Sequence, residues 1–210
     1  MIRRAKLLDR SVQQRDARLY VLAVEGAETE PAYFRALEES DLIPCHRVKL
    51  HVVSPGQHAS APLYILGAAE AETRKIALQP YDEVWLVFDV DERSGGGRLQ
   101  QIIHTVKDAQ NRGWHVAISN PCFELWLLLH VSNAVAGVTP LGESVTGLLR
   151  AAIGGYSKRA TPAECRTAEA ITRAITAARS LDGDPDALCP PFPSTRLYLL
   201  MERLRNARPS

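Results

Sequence analysis

Apolar and polar positions alternate along this chain in a way that changes period several times. Arg18 to Gly26 is short, almost continuously apolar and closed by glycine, which predicts a strand buried on both faces. Glu28 to Leu37 follows, with Pro31 near its start and Thr29 or Glu30 as cap, and reads as a helix. Val48 to Ser54 predicts a second strand, stopped by Pro55-Gly56. Ala61 to Leu78 carries Leu63, Leu66, Ala69 and Ile76 at helical spacing. A third strand runs through Val84-Trp85-Leu86-Val87-Phe88 and ends abruptly in Asp89, Asp91 and Glu92. After the loop Arg93-Ser94-Gly95-Gly96-Gly97-Arg98, the residues Ile102, Ile103, Val106 and Ala109 define a helix over 99–112 that stops before Gly113. Trp114 to Ser119 is a fourth strand, and Cys122 to His130 a strongly apolar helix.

Strands alternating with helices predict an α/β fold with a mainly parallel sheet flanked by helices. Beyond Val131 the pattern weakens. Residues 131–163 mix Gly, Ser, Thr and Pro with short apolar runs; 164–181 reads as a helix, 182–193 as a Pro-rich linker and 194–207 as a final amphipathic helix. The expected organisation is a polar arm over 1–18, an α/β core over 19–135, and a mainly helical C-terminal region over 136–210 packed on that core.

At 210 residues, with 46% hydrophobic and 23% charged residues, the chain has enough apolar material for one sizeable domain. A formal net charge of +1 predicts no strong overall field, so any nucleic-acid surface must be local. The four cysteines form no C-x-x-C pair, which argues against a structural zinc or a dithiol centre. No signal peptide and no long apolar run is evident, so a soluble, cytoplasmic protein without membrane contact is expected.

In open parallel sheets, ligand sites lie at the carboxyl ends of the strands. Glu25, Asp89 and Asp91 all fall there, and residues i and i+2 of an extended chain point the same way, so Asp89 and Asp91 share a side. Strand-end carboxylates suit Mg²⁺ or Mn²⁺, hard cations that prefer oxygen ligands. Glu124, in the first turn of the apolar helix, is placed either to reach such a metal or to complement the helix dipole. Lys158, Arg159 and Arg196 are the candidate phosphate contacts. Gly95-Gly96-Gly97 lacks the Lys-Ser/Thr of a P-loop and gives no ground for ATP binding.

A strand ending in Val24-Glu25-Gly26, one strand–helix unit, and a strand ending in Phe88-Asp89-Val90-Asp91 together resemble the Toprim fold of topoisomerases, primases and OLD-type nucleases. With Glu28-Thr29-Glu30-Pro31-Ala32-Tyr33-Phe34, Ser119-Asn120-Pro121-Cys122-Phe123-Glu124-Leu125-Trp126 and Ser194-Thr195-Arg196, the pattern is similar to the RloB-like proteins, over nearly the whole chain after residue 18. That resemblance implies a Toprim-like (Rossmann-like) fold and a metal-dependent nuclease acting on DNA, tRNA or other RNA. It also implies a role in anti-phage or abortive-infection defence, beside an ATPase partner protein, and leaves room for a homo-oligomer.

The resemblance assigns the catalytic, metal-holding role to Glu25, Asp89 and Asp91. In OLD-type nucleases a further acid stands four positions after the first glutamate; here that position is Thr29, and Glu30 is the neighbouring candidate for a second metal. Tyr20, Tyr33 and Tyr64 fall in apparent core segments, so hydrolysis without a covalent tyrosine intermediate is expected. The alternative reading is a non-catalytic regulatory or scaffold subunit of an ATPase-containing complex. An Asp-x-Asp phosphatase fits less well, because its motif stands on the first strand and is followed by Thr or Val, where this chain has Glu92 on a later strand.

Overall fold

The computed structural model describes residues 17–56, 61–90 and 97–207. The polar arm up to residue 16 and the second aspartate of the Asp-x-Asp pair, Asp91, therefore lie outside the described residues.

Among the described residues, five strands form one sheet: β1 (Arg18–Val24), β2 (Val48–Val53), β3 (Glu83–Asp89), β4 (His115–Asn120) and β5 (Ser194–Thr195), in the order β2-β1-β3-β4-β5. The first four are parallel and β5 runs antiparallel to β4. The helices are α1 (Thr29–Glu39), α2 (Pro62–Thr73), α3 (Gly97–Asn111), α4 (Glu124–Val131), α5 (Gly142–Ile153), α6 (Ala168–Leu181) and α7 (Leu197–Arg205).

The period-2 alternation of a strand divides the sheet residues between two cores. Tyr20, Leu22 and Val24 of β1, with Trp85 and Val87 of β3, pack with α1, α4, α5, α6 and α7. Leu19, Val21 and Ala23, with Val84, Leu86 and Phe88, pack with α2 and α3 on the other face. Burial on both faces is why these strands read as unbroken apolar runs. The first crossover helix covers one face and the next two the other. Strand order consequently reverses between β1 and β3, and the crevice beyond their carboxyl ends is a topological switch point.

Helix α4 is buried at seven of its eight positions and packs against α5 and α6. One core thus includes β1 and β3 residues together with Val145, Leu149, Ile171, Ala174 and Leu200 from beyond residue 136, so the C-terminal region completes the same core.

Three local expectations change. The segment 131–163 contains α5, whose Val145 and Leu149 are buried and which ends at Gly154 with φ of 72°, a left-handed cap that glycine adopts without strain. The stretch expected as one final helix begins instead with the two residues of β5, which pair with Ser119 and Asn120. Tyr64 is exposed on α2, whereas Tyr20 and Tyr33 are core residues.

Candidate functional site

The site is assembled where β1 and β3 end side by side. Val24 is in register with Val87, and the pairing continues one residue further as the Glu25 N–H donates to the Val87 carbonyl at 2.9 Å. Glu25 is thereby delivered beside Asp89, whose backbone N–H donates to Glu25 Oε2 at 2.9 Å.

The chain then turns at Gly26, and its N–H donates to Glu30 Oε1 at 2.9 Å. A Cβ at position 26 would lie 2.1 Å from Glu30 Oε2, so the glycine is what lets this carboxylate fold back over the turn. Thr29 and Glu30 open α1, and Pro31 stands in the first turn, where its missing N–H costs no helical hydrogen bond.

Glu124 arrives from the other side as the first residue of α4 and is buried. Its Oε1 accepts from the Tyr156 hydroxyl at 3.2 Å and faces Lys158 Nζ at 3.5 Å. The Tyr156 hydroxyl also meets Thr29 Oγ1 at 3.4 Å, so one phenol links α1 to α4.

Four carboxylates, Glu25, Glu30, Asp89 and Glu124, are thus brought into mutual electrostatic reach. Burial raises the Asp89 carboxyl well above the ordinary range, and the charges of Glu25, Glu30 and Glu124 add to the effect; a backbone hydrogen bond from Phe123 opposes it. Glu30 is pushed up to about 7, by burial first and then by Glu124 and Glu25, against hydrogen bonds to the backbone. Two acids whose carboxyls are raised, by burial first and by negative neighbours in addition, mark a place that would favour a positive charge.

Two cavities open onto the group. One of about 300 Å³ is lined by Glu25, Glu30, Asp89, Glu124 and Lys158. The other, of about 630 Å³, is lined by Asp89, Cys122, Glu124, Thr146, Arg150 and Lys158. Asp89, Glu124 and Lys158 belong to both, so the two cavities meet at these side chains. A separate cavity of about 530 Å³, lined by Arg18, Trp85, His115 and Arg203, lies at the opposite, amino ends of the strands and holds none of the four carboxylates.

The other expected contacts separate into two kinds. Lys158 stands at the carboxylates. Arg159 donates to Glu28 at 3.0 Å on the surface. Arg196 is buried away from the group: it binds the Asp182 carboxylate through Nε and Nη2 and donates to the Asp184 and Ala187 carbonyls. Tyr198 donates to the same Asp182 carboxylate at 3.0 Å. Asn120 donates to the Pro190 carbonyl, which holds the segment before β5. His130 is a core residue between Tyr33 and the Trp126 carbonyl, its pKa lowered to about 4 by burial.

Sequence reasoning missed two contributors. Tyr156 follows Gly154-Gly155 in a stretch without a clear period. Arg98 falls at the end of the predicted glycine loop, yet it is buried and bonded to both oxygens of Glu25. A signal existed: positions 98, 102, 105, 106 and 109 are all buried, and their spacing puts Arg98 on the apolar stripe of α3.

Among the described residues, no three His, Cys, Asp or Glu side chains form a group that could hold a metal ion. The donor chemistry nonetheless suits a hard cation, since every side chain concerned is a carboxylate and two are under electrostatic pressure. Among the described residues, too, no helix is long and apolar enough to cross a membrane.

The sequence profile of the family described as RloB-like protein matches residues 20–204. This chain belongs to the RloB-like family. No curated protein and no solved structure shows a match to it. The family assignment spans both the α/β core and the helices after residue 136, in keeping with the core that these helices share with one face of the sheet.

Proposed function

We propose that this RloB-like protein is a divalent-metal-dependent nuclease and an effector of anti-phage or abortive-infection defence. The observation that carries the chemistry is the buried carboxylate group at the switch point, open to two joined cavities and favourable to a positive charge. The defence role rests on the resemblance described above.

Glu25, Asp89 and Asp91 would hold Mg²⁺ or Mn²⁺, with Glu30 and Glu124 as further candidate carboxylates. A bound divalent ion supplies charge stabilisation for a phosphodiester in transit and a water of lowered pKa. The chain's own groups do the rest. Lys158, at the junction of the cavities, can meet a phosphate oxygen once the charge of Glu124 is otherwise satisfied. Arg150 lines the larger cavity and offers a second cation for the nucleic-acid strand. Tyr156 holds Glu124 in orientation through its hydroxyl.

The test is incubation of purified protein with plasmid DNA, total RNA and tRNA, with Mg²⁺ or Mn²⁺ and with EDTA. Cleavage of one substrate class that requires the metal and is lost in folded Asp89→Ala and Glu25→Gln proteins is expected. Equal cleavage by those variants would sink the proposal.

A second reading, a non-catalytic regulatory or scaffold subunit of an ATPase-containing complex, draws support from the engagement of both Glu25 oxygens by Arg98. It predicts no divalent-metal effect on thermal unfolding and co-purification with an ATPase.

A further inference from the structure

At the amino ends of the strands, opposite the carboxylates, the sheet and α7 border a cavity of about 530 Å³, a size within the roughly 300–1,000 Å³ of small-molecule pockets. Trp85, Leu199 and Ala207 give it an apolar wall, while Arg18, Arg203, His115 and Asn206 bring nitrogen donors to it. Two acids stand there as well, and both are engaged. Glu83 Oε1 accepts from Arg18 Nη1 at 3.2 Å, Glu83 Oε2 accepts from the Trp85 ring N–H at 2.9 Å, and Glu202 is bonded to Arg179.

Donors are left over. Arg203 Nη1 stands 4.0 Å from Glu83 Oε1 and His115 Nε2 stands 3.8 Å from Glu83 Oε2, both beyond hydrogen-bond length. Among the described residues the side chains of Arg203, His115 and Asn206 make no hydrogen bond, and Arg18 Nε is buried without a partner. A salt bridge tying α7 to the sheet does not account for Arg203, whose side chain is 58% exposed and too far from Glu83 to bond it. Two guanidinium groups within 4.0 Å of one carboxylate oxygen, only one of them hydrogen-bonded to it, are instead suited to share a phosphate.

His115 adds a second recognition element. Its ring stacks on Trp85 with centroids 4.7 Å apart and planes 27° from parallel, and it makes no other ring contact among the described residues. Trp85 is buried and held by its N–H bond to Glu83, so the half-exposed imidazole is the outer layer of a fixed two-ring stack. A further planar ring can extend that stack.

We propose that this cavity binds a mononucleotide, with its phosphate between Arg18 and Arg203 and its base stacked on His115. Trp85 and His115 are paired at the start of β3 and β4, whereas Asp89 ends β3, so the site is separate from the carboxylates and independent of the metal-dependent reading.

The experiment is calorimetry on the full chain in EDTA, with AMP, adenosine and inorganic phosphate as probes. One AMP per chain is expected, with Kd below about 1 mM. Adenosine and inorganic phosphate should each bind about tenfold more weakly or worse, because each lacks one of the two contacts. Arg203→Gln, on an exposed side chain, should weaken AMP about tenfold, and so should His115→Ala, whereas His115→Phe keeps a stacking ring and should hold AMP. Lys158→Gln, at the carboxylates, should leave AMP affinity unchanged. Absence of saturable AMP binding by the wild type overturns the proposal, as does an unchanged affinity in folded Arg203→Gln or His115→Ala, with folding checked by circular dichroism. A loss of AMP binding in Lys158→Gln overturns it too, by moving the nucleotide to the carboxylate cavities. So does a short single-stranded oligonucleotide that binds more tightly than AMP and is lost in Arg203→Gln, which would make the cavity a contact for a nucleic-acid strand.

Discussion

Glu30 offers a quantitative check on the carboxylate group that needs neither substrate nor metal. In the folded chain its carboxyl is pushed up to about 7 from an ordinary value of 4.5, by burial first and then by the charges of Glu124 and Glu25. Between these values the unfolded chain has released the proton and the folded chain retains it. Raising the pH through this window therefore favours the unfolded state, and above about 7 the penalty is complete. At about 1.4 kcal/mol per pH unit, the gap amounts to about 3 kcal/mol. Gln at position 30 carries no charge, and its amide oxygen can still accept from the Gly26 N–H. Glu30→Gln should therefore raise stability in EDTA by about 3 kcal/mol near pH 8 and change little near pH 4. Asp89 is raised in the same sense, so part of the wild-type slope should survive in the variant. Urea unfolding followed by tryptophan fluorescence at both pH values measures the difference. Equal stability of the two proteins near pH 8, or a less stable variant there, would refute the claim that burial and neighbouring charge hold the Glu30 carboxyl above its ordinary value.

Two further predictions concern parts of the fold away from the carboxylates. Asp182→Ala removes the partner of a buried guanidinium and of the Tyr198 hydroxyl, and should cost about 3–5 kcal/mol in urea unfolding. A loss below about 1 kcal/mol would show that the Asp184 and Ala187 carbonyls suffice for Arg196. Thr105 is fully buried in α3, and its hydroxyl has no hydrogen-bond partner among the described residues. Thr105→Val keeps the shape without the stranded hydroxyl and should stabilise the protein by about 1 kcal/mol, read as a rise in thermal midpoint.

The strands that build the site were legible because each is an unbroken apolar run, and the carboxylates were legible because they interrupt those runs at the ends. Glu25 and Asp89 belong to that class. Glu30 and Glu124 could be placed at helix starts, but from the sequence alone dipole complementation described them as well as a shared pocket did. What the sequence withheld are contacts between residues distant in the chain. Arg98 and Arg196 are both arginines next to Gly- or Pro-rich stretches, a setting in which charge is ordinarily solvated; each is instead buried against a carboxylate, one 73 residues away and the other 14. The two residues of β5 are too few to show a period. Their pairing follows from where α6 and α7 deliver them, which no local pattern encodes.

That short pairing has a consequence for how the molecule comes to be folded. Ser119 Oγ meets Thr195 Oγ1 at 2.9 Å across 76 residues of chain, and the Arg196 N–H donates to the Ile118 carbonyl beside it. Closing so long a loop costs entropy before any contact returns it, whereas the β1–α1–β2 unit closes over a far shorter span. In refolding, the edge of β4 should be the late event and the strands that carry Glu25 and Asp89 the earlier one. The carboxylates would then come together before the wall beside them is finished, and the C-terminal helices act as the step that turns a collapsed α/β core into the native one.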